Sequence, residues 1–117
     1  MLKIKQLLVD LYGCKTDLDN PEFLMNTLVR ASDAVGSTIV QKVTQKFTPV
    51  GVSVIIILAE THMSIHTWPE HGYAAVDVFF CSEGKDPYIA WDVIREALKP
   101  ESHDVKELTR SIGEKRI

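Results

Sequence analysis

Residues 50–81, VGVSVIIILAETHMSIHTWPEHGYAAVDVFFC, decide how this chain folds. Residues 52–58 are branched and apolar apart from Ser53, the composition of a strand at the centre of a sheet or buried on both faces. Residues 62–67 and 73–80 read as two further strands around the turn Pro69-Glu70-His71-Gly72.

Moving upstream, residues 37–47 are rich in Thr, Val and Ile and are broken by Thr48-Pro49, so they add another strand. Residues 5–12, rich in Leu and Val, form a first strand that ends at Gly13-Cys14. Between these two lies Asp19-Asn20-Pro21-Glu22, a helix start. Asn20 suits the cap, and Pro21 at the first helical position sacrifices no hydrogen bond. Leu24, Met25, Leu28 and Val29 recur at helical spacing as far as Ala34, and Gly36 stops the run. Downstream, Asp86-Pro87 repeats the cap-and-proline signal. Ala90, Val93, Ile94, Ala97 and Leu98 form the apolar stripe of a second helix, Pro100 ends it, and residues 103–109 give a last strand.

The order is β-α-β-β-β-β-α-β. Helices separated by runs of strands predict an α+β fold: a two-layer sandwich of a mostly antiparallel sheet with two helices on one face. The other face of that sheet then needs cover, and a homodimer is its simplest source.

The chain has 117 residues, of which 45% are hydrophobic and 25% charged, suited to one domain spanning 1–117. It contains no repeat, linker or low-complexity segment. A net charge of −3 argues against a surface built to coat nucleic acid. The charge-dense stretch 101–116 alternates in sign and reads as a solvated end. No apolar signal-type segment follows Met1, so a cytoplasmic protein is expected, with Cys14 and Cys81 as reduced thiols. The longest apolar run, 50–59, is about half of a bilayer span, and no membrane partner is expected.

Chemistry concentrates between Ser53 and Cys81. His62, His66 and His71 raise the question of a metal. On an extended strand His62 and His66 share a face but stand about 13 Å apart, too far for one ion with bonds of ~2 Å, so no metal is expected. Ser53, Thr61 and His66 have the hydroxyl–imidazole make-up of acyl-transfer chemistry. The plainer alternative is that both hydroxyls satisfy nearby backbone groups. No Gly-x-Ser-x-Gly elbow supports a hydrolase, and no glycine-rich phosphate loop is present. By residue type alone, Cys81 is a small buried hydrophobe, Phe47 and Trp68 are core aromatics, and Glu70 is a solvated carboxylate.

The string from Glu60 to Asp77, ETHMSIHTWPEHGYAAVD, closing at Cys81, resembles the signature of bacterial and archaeal S-adenosylmethionine decarboxylases. That family reads Glu-Ser-His followed by an Ile-His-Thr-Trp-Pro-Glu core. The upstream Pro49-Val50-Gly51-Val52-Ser53 and the chain length also match. The resemblance covers nearly the whole chain and is most specific from Phe47 to Cys81.

It implies a zymogen that cuts itself between Glu60 and Thr61. The residue 61 hydroxyl attacks the Glu60 carbonyl, and elimination and hydrolysis leave a covalent pyruvoyl-type group. That group forms a Schiff base with S-adenosylmethionine and acts as an electron sink during loss of carbon dioxide, feeding spermidine biosynthesis. His66 matches the residue that removes the α-proton during processing, Ser53 one that assists it, and Cys81 the acid that reprotonates the substrate carbon. Glu70 matches a residue holding the ribose hydroxyls and Phe47 one stacking near the adenine; Trp68 completes the expected substrate-binding set. The family's sites lie at a dimer interface.

Position 61 departs from the pattern, since the family carries serine there. Threonine leads to a 2-oxobutanoyl cap, with an extra methyl beside the reactive carbonyl. β-Branching restricts χ1 where the attack geometry is demanding. Two alternatives follow: an unprocessed, non-enzymatic homologue that binds a nucleoside, or a decarboxylase of arginine or ornithine.

Overall fold

The computed structural model describes residues 2–59, 61–81 and 84–113. Its elements run β1 (Leu2–Tyr12), α1 (Pro21–Val35), β2 (Ile39–Lys46), β3 (Val52–Leu58), β4 (His62–Trp68), a single 3-10 turn (Pro69–His71), β5 (Tyr73–Cys81), α2 (Pro87–Leu98) and β6 (Ser102–Ile112). This is the order expected from the sequence. The strands form one six-stranded sheet, β2-β3-β4-β5-β1-β6, in which every pairing is antiparallel.

Both helices start where local chemistry says they should. The Asn20 side chain accepts the Phe23 N–H at 3.1 Å, and the Asp86 side chain accepts that of Tyr88 at 2.9 Å. Gly36, at φ +70°, closes α1 in the left-handed conformation that a glycine takes without steric cost. β6 is longer than the reading of 103–109, because β1 pairs with it along its whole length.

The core lies between the helices and one face of the sheet. Leu7, Val9 and Leu11 of β1, Val54 and Ile56 of β3, Met63 and Ile65 of β4, and Val76, Val78 and Phe80 of β5 are all buried there. They meet Leu24 and Leu28 of α1 and Ala90, Ile94 and Leu98 of α2 in one cluster.

Of the two readings of residues 52–58, a place inside the sheet holds, since β3 lies between β2 and β4, whereas burial on both faces does not. In β3 burial alternates: Val52, Val54, Ile56 and Leu58 are buried, whereas Ile57 is 40% exposed. The two helices cover one face only, so the intervening residues of this apolar run open onto the other. Register places Ile57, His62, Phe79, Gln6 and Leu108 in one row across that face, and Ser53, His66, Ala75, Asp10 and Asp104 in another. Leu8, Val43, Ile57 and Leu108 all leave apolar surface on it.

Candidate active site

Ser53 and His66 face each other directly in the β3–β4 register, and Ser53 Oγ lies 2.7 Å from His66 Nδ1. Both are half-buried on the open face of the sheet. Their neighbour Thr67 points the other way and is buried. Its hydroxyl donates to the Leu18 carbonyl at 2.7 Å and accepts the Val52 N–H at 3.0 Å. That contact ties β3, β4 and the entry to α1 together at the end of the sheet where His66 stands.

Phe47, Val50, Gly51, Trp68 and Glu70 close round Ser53 and His66 to form a cavity of about 330 Å³. The loop that brings Phe47 there is anchored by Asp19. Its Oδ1 accepts the Gly51 N–H at 2.8 Å and lies 3.0 Å from Lys46 Nζ. The Gly51 amide first, and Lys46 next, hold this carboxyl below the usual carboxylate range. Gly51 has φ +116°, and a Cβ there would sit 3.4 Å from the Thr67 carbonyl, so glycine suits the position both sterically and conformationally. Phe47 is 48% exposed and Trp68 42% exposed, which corrects their reading by type as core aromatics. Both are walls of the cavity.

At the opposite end of β4 lies the hairpin that carries position 61. Glu60, half of the expected cleavage site, is outside the described residues. The Leu58 N–H donates to the Thr61 carbonyl at 2.8 Å, and the Ala59 N–H to the Thr38 carbonyl at 3.0 Å, so the loop is hydrogen-bonded on both sides. Thr61 borders a hollow of about 20 Å³ together with Ser37, Thr38, Leu58, Phe80 and Lys85. Cys81 is buried at the end of β5, two residues beyond Phe79, the partner of His62. Thr61 and Cys81 therefore share one end of the sheet.

The sequence grouped Ser53, Thr61 and His66 as one nucleophile set. Within one chain the structure pairs Ser53 with His66 and sets Thr61 apart. Five residues of extended strand separate Thr61 from His66, a span of roughly 16 Å. Cys81 lies six residues beyond Ala75, the partner of His66, or about 20 Å along β5. The residues expected at the site thus fall into two half-sites: Phe47, Ser53, His66, Trp68 and Glu70 at one end, Thr61 and Cys81 at the other.

Sequence reasoning did not pick out the polar groups between them. Gln6 Nε2 donates to Asp77 at 2.9 Å, and Asp77 Oδ2 stands 3.5 Å from His62 Nε2. Farther along, the Tyr73 hydroxyl donates to Asp10, a bond that pushes its pKa up to about 12. The available signal was weak: a single polar residue in Val76-Asp77-Val78, at the strand period that places Asp77 on the face away from the core. Among the described residues, no three His, Cys, Asp or Glu side chains gather to hold a metal ion, and no helix is long and apolar enough to cross a membrane.

A family model described as S-adenosylmethionine decarboxylase matches residues 5–111. A Brevibacillus brevis protein named S-adenosylmethionine decarboxylase proenzyme is 40% identical, over 97% of this chain and 86% of that protein. A Methanococcus maripaludis protein of the same name is 43% identical, over 94% of this chain and 91% of its own length. Among solved structures, the adenosylmethionine decarboxylase from Aquifex aeolicus VF5 superposes with a TM-score of 0.87 at 36% identity, covering 99% of this chain and 96% of that one.

Proposed function

The chain belongs to the S-adenosylmethionine decarboxylase family, and from that premise we propose that it is a self-processing enzyme converting S-adenosylmethionine to its decarboxylated form for spermidine biosynthesis. The observation that carries this reading is the 2.7 Å Ser53–His66 pair set in one cavity with Phe47, Trp68 and Glu70. A hydroxyl–imidazole pair beside an aromatic wall and a carboxylate suits a nucleoside whose base stacks and whose ribose hydroxyls donate to Glu70.

Activation starts at Thr61. Its Oγ1 attacks the Glu60 carbonyl carbon, the C–O bond forms, the C–N bond breaks, and the hydroxyl proton passes to the freed nitrogen. His66, held by Ser53, then removes the Thr61 α-proton, and the Cβ–O bond breaks with the ester oxygen leaving on the Glu60 carboxylate. Uptake of water and release of ammonia leave a 2-oxobutanoyl cap on the second fragment. Thr61 fits this role: it carries both the hydroxyl and the α-hydrogen required, in a loop pinned by the Leu58 N–H. Once formed, the cap supplies an electrophilic carbonyl for the substrate's amine and an electron sink as carbon dioxide leaves. Cys81, at the same end of the sheet, returns a proton to the substrate carbon.

A single chain holds the two half-sites too far apart to act on one molecule. A second copy packed on the open face, related by a two-fold axis, brings the His66 end of one chain to the Thr61 end of its partner. The unpartnered Leu8, Val43, Ile57 and Leu108 support a homodimer of this kind.

The deciding experiment is an intact mass spectrum of the purified chain with and without a carbonyl-trapping amine, paired with carbon dioxide release from carboxyl-labelled S-adenosylmethionine. Two fragments broken before Thr61, the second trapped by the amine, together with label release, are expected. A single uncut mass and no label release would overturn the reading and leave a binding homologue.

A further inference from the structure

A row of polar side chains on the open face runs from β1 to the hairpin that carries Thr61, and the mechanism above makes no use of it. Gln6 is only 8% exposed, and its Nε2 reaches both carboxylate oxygens of Asp77, at 2.9 and 3.2 Å. Its Oε1 is buried with no partner among the described residues, a costly placement for an amide. On the other side, Asp77 Oδ2 stands 3.5 Å from His62 Nε2. The His62 ring also meets Phe79 edge-on, with centroids 5.4 Å apart at 83°. The guanidinium of Arg110 covers Phe79 in turn, 5.5 Å from the ring centre.

His62 is therefore gripped at its nitrogen by Asp77 and at its edge by Phe79. It is also the residue directly after Thr61. Whatever fixes the His62 ring fixes the first residue of β4, and with it the direction from which the Thr61 hydroxyl turns toward the preceding carbonyl. Ser53 and His66 of the same chain cannot supply this restraint, because that His66 lies about 13 Å farther along the strand.

We infer that Asp77, buttressed by Gln6, is a positioning residue for cleavage before Thr61, acting through the His62 ring. This rests on the self-processing activity proposed above. The consequence is kinetic: loosening His62 lets Thr61 swing out of line, and small misplacements of reacting atoms cost large factors in rate.

The test follows fragment appearance by intact mass in the full chain and in Asp77→Ala, Asp77→Asn, His62→Ala and the Asp77→Ala/His62→Ala double variant. Asp77→Ala is expected to slow cleavage by about tenfold or more. Asp77→Asn keeps one acceptor oxygen, which at the Oδ2 position reaches both Gln6 Nε2 and His62 Nε2, and is expected to stay within about threefold of the unsubstituted chain. The double variant is expected to cleave no more slowly than His62→Ala alone, because Asp77 then has nothing left to act through. Asp77→Ala keeping pace with the unsubstituted chain, Asp77→Asn falling as far as Asp77→Ala, or the two single effects multiplying in the double variant would each overturn the role. An unsubstituted chain that never cleaves overturns the proposed activity along with it.

Discussion

One methyl group separates the chemistry at position 61 from that of serine. The Thr61 hydroxyl must rotate onto the Glu60 carbonyl inside a loop held by the Leu58 and Ala59 amides. β-Branching leaves few rotamers for that turn. An ill-placed methyl costs about 1–3 kcal/mol, or roughly ten- to hundred-fold in rate. Thr61→Ser is therefore expected to cleave faster by a factor in that range and to give a cap lighter by one methylene, both read in one mass-spectrometric time course. Asp19 offers a pH-dependent counterpart. Its carboxyl is held low by the Gly51 N–H and Lys46, so its contribution is complete above the ordinary carboxylate range. It is lost as pH falls through the depressed native value. Acidification should loosen the Phe47 loop, and Asp19→Ala should loosen it at neutral pH. Faster hydrogen exchange at the Gly51 amide and a raised KM for S-adenosylmethionine are the expected signs. At this scale the sequence was informative through its motif only. Ser53 and His66 are thirteen positions apart in the chain, and their contact exists because of a strand register that residue types do not encode.

Elements were legible wherever their signals are local. Asn20-Pro21 and Asp86-Pro87 each combine a side-chain acceptor with a residue that has no amide to lose, and each starts a helix as expected. Replacing Asn20 with Ala leaves the Phe23 N–H without its acceptor and should cost about 1 kcal/mol, read as a lower midpoint in urea at unchanged slope. Where an element depends on a distant partner, the sequence was less informative. β6 runs to Ile112 because β1 lies beside it. The branched run of β3 left open both burial on both faces and a place inside the sheet, of which only the second holds. Apolar composition alone does not say which layers are present. The number of helices does say it: two short helices on one side of six strands leave the other side bare. The sheet's row of Gln6, His62 and Phe79 lies on that bare side.

Taken as a whole, the molecule sets the residues of the proposed site at opposite ends of one sheet, and the proposed homodimer is what would join them. The sequence pointed to a dimer because one sheet face lacked cover; the half-site geometry adds what the dimer must do. If Thr61 and Cys81 of one chain work with Ser53 and His66 of the other, a Cys81→Ala chain and a His66→Ala chain should complement each other. Each homodimer has a defect in both of its sites and should be nearly inactive. In the mixed dimer, one site collects both substitutions and the other collects neither. With random pairing half of the dimers are mixed, so co-expression in equal amounts should restore about a quarter of the unsubstituted activity. Cleavage follows a different count, because Cys81→Ala homodimers keep Thr61 and His66 and should still cut. Within the mixed dimer, however, only the His66→Ala chain should be cut, since that chain alone presents Thr61 to an intact His66, and it keeps its own Cys81 beside it for turnover. Fragment masses identify which chain was cut, because the two substitutions lie in the second fragment and shift its mass differently. Recovery of activity with cleavage of the His66→Ala chain means the site is shared between chains. An inactive mixture, in a sample whose dimers have exchanged, would mean that each chain completes its own site by a rearrangement of more than 10 Å, which a sheet held by five strand pairings resists.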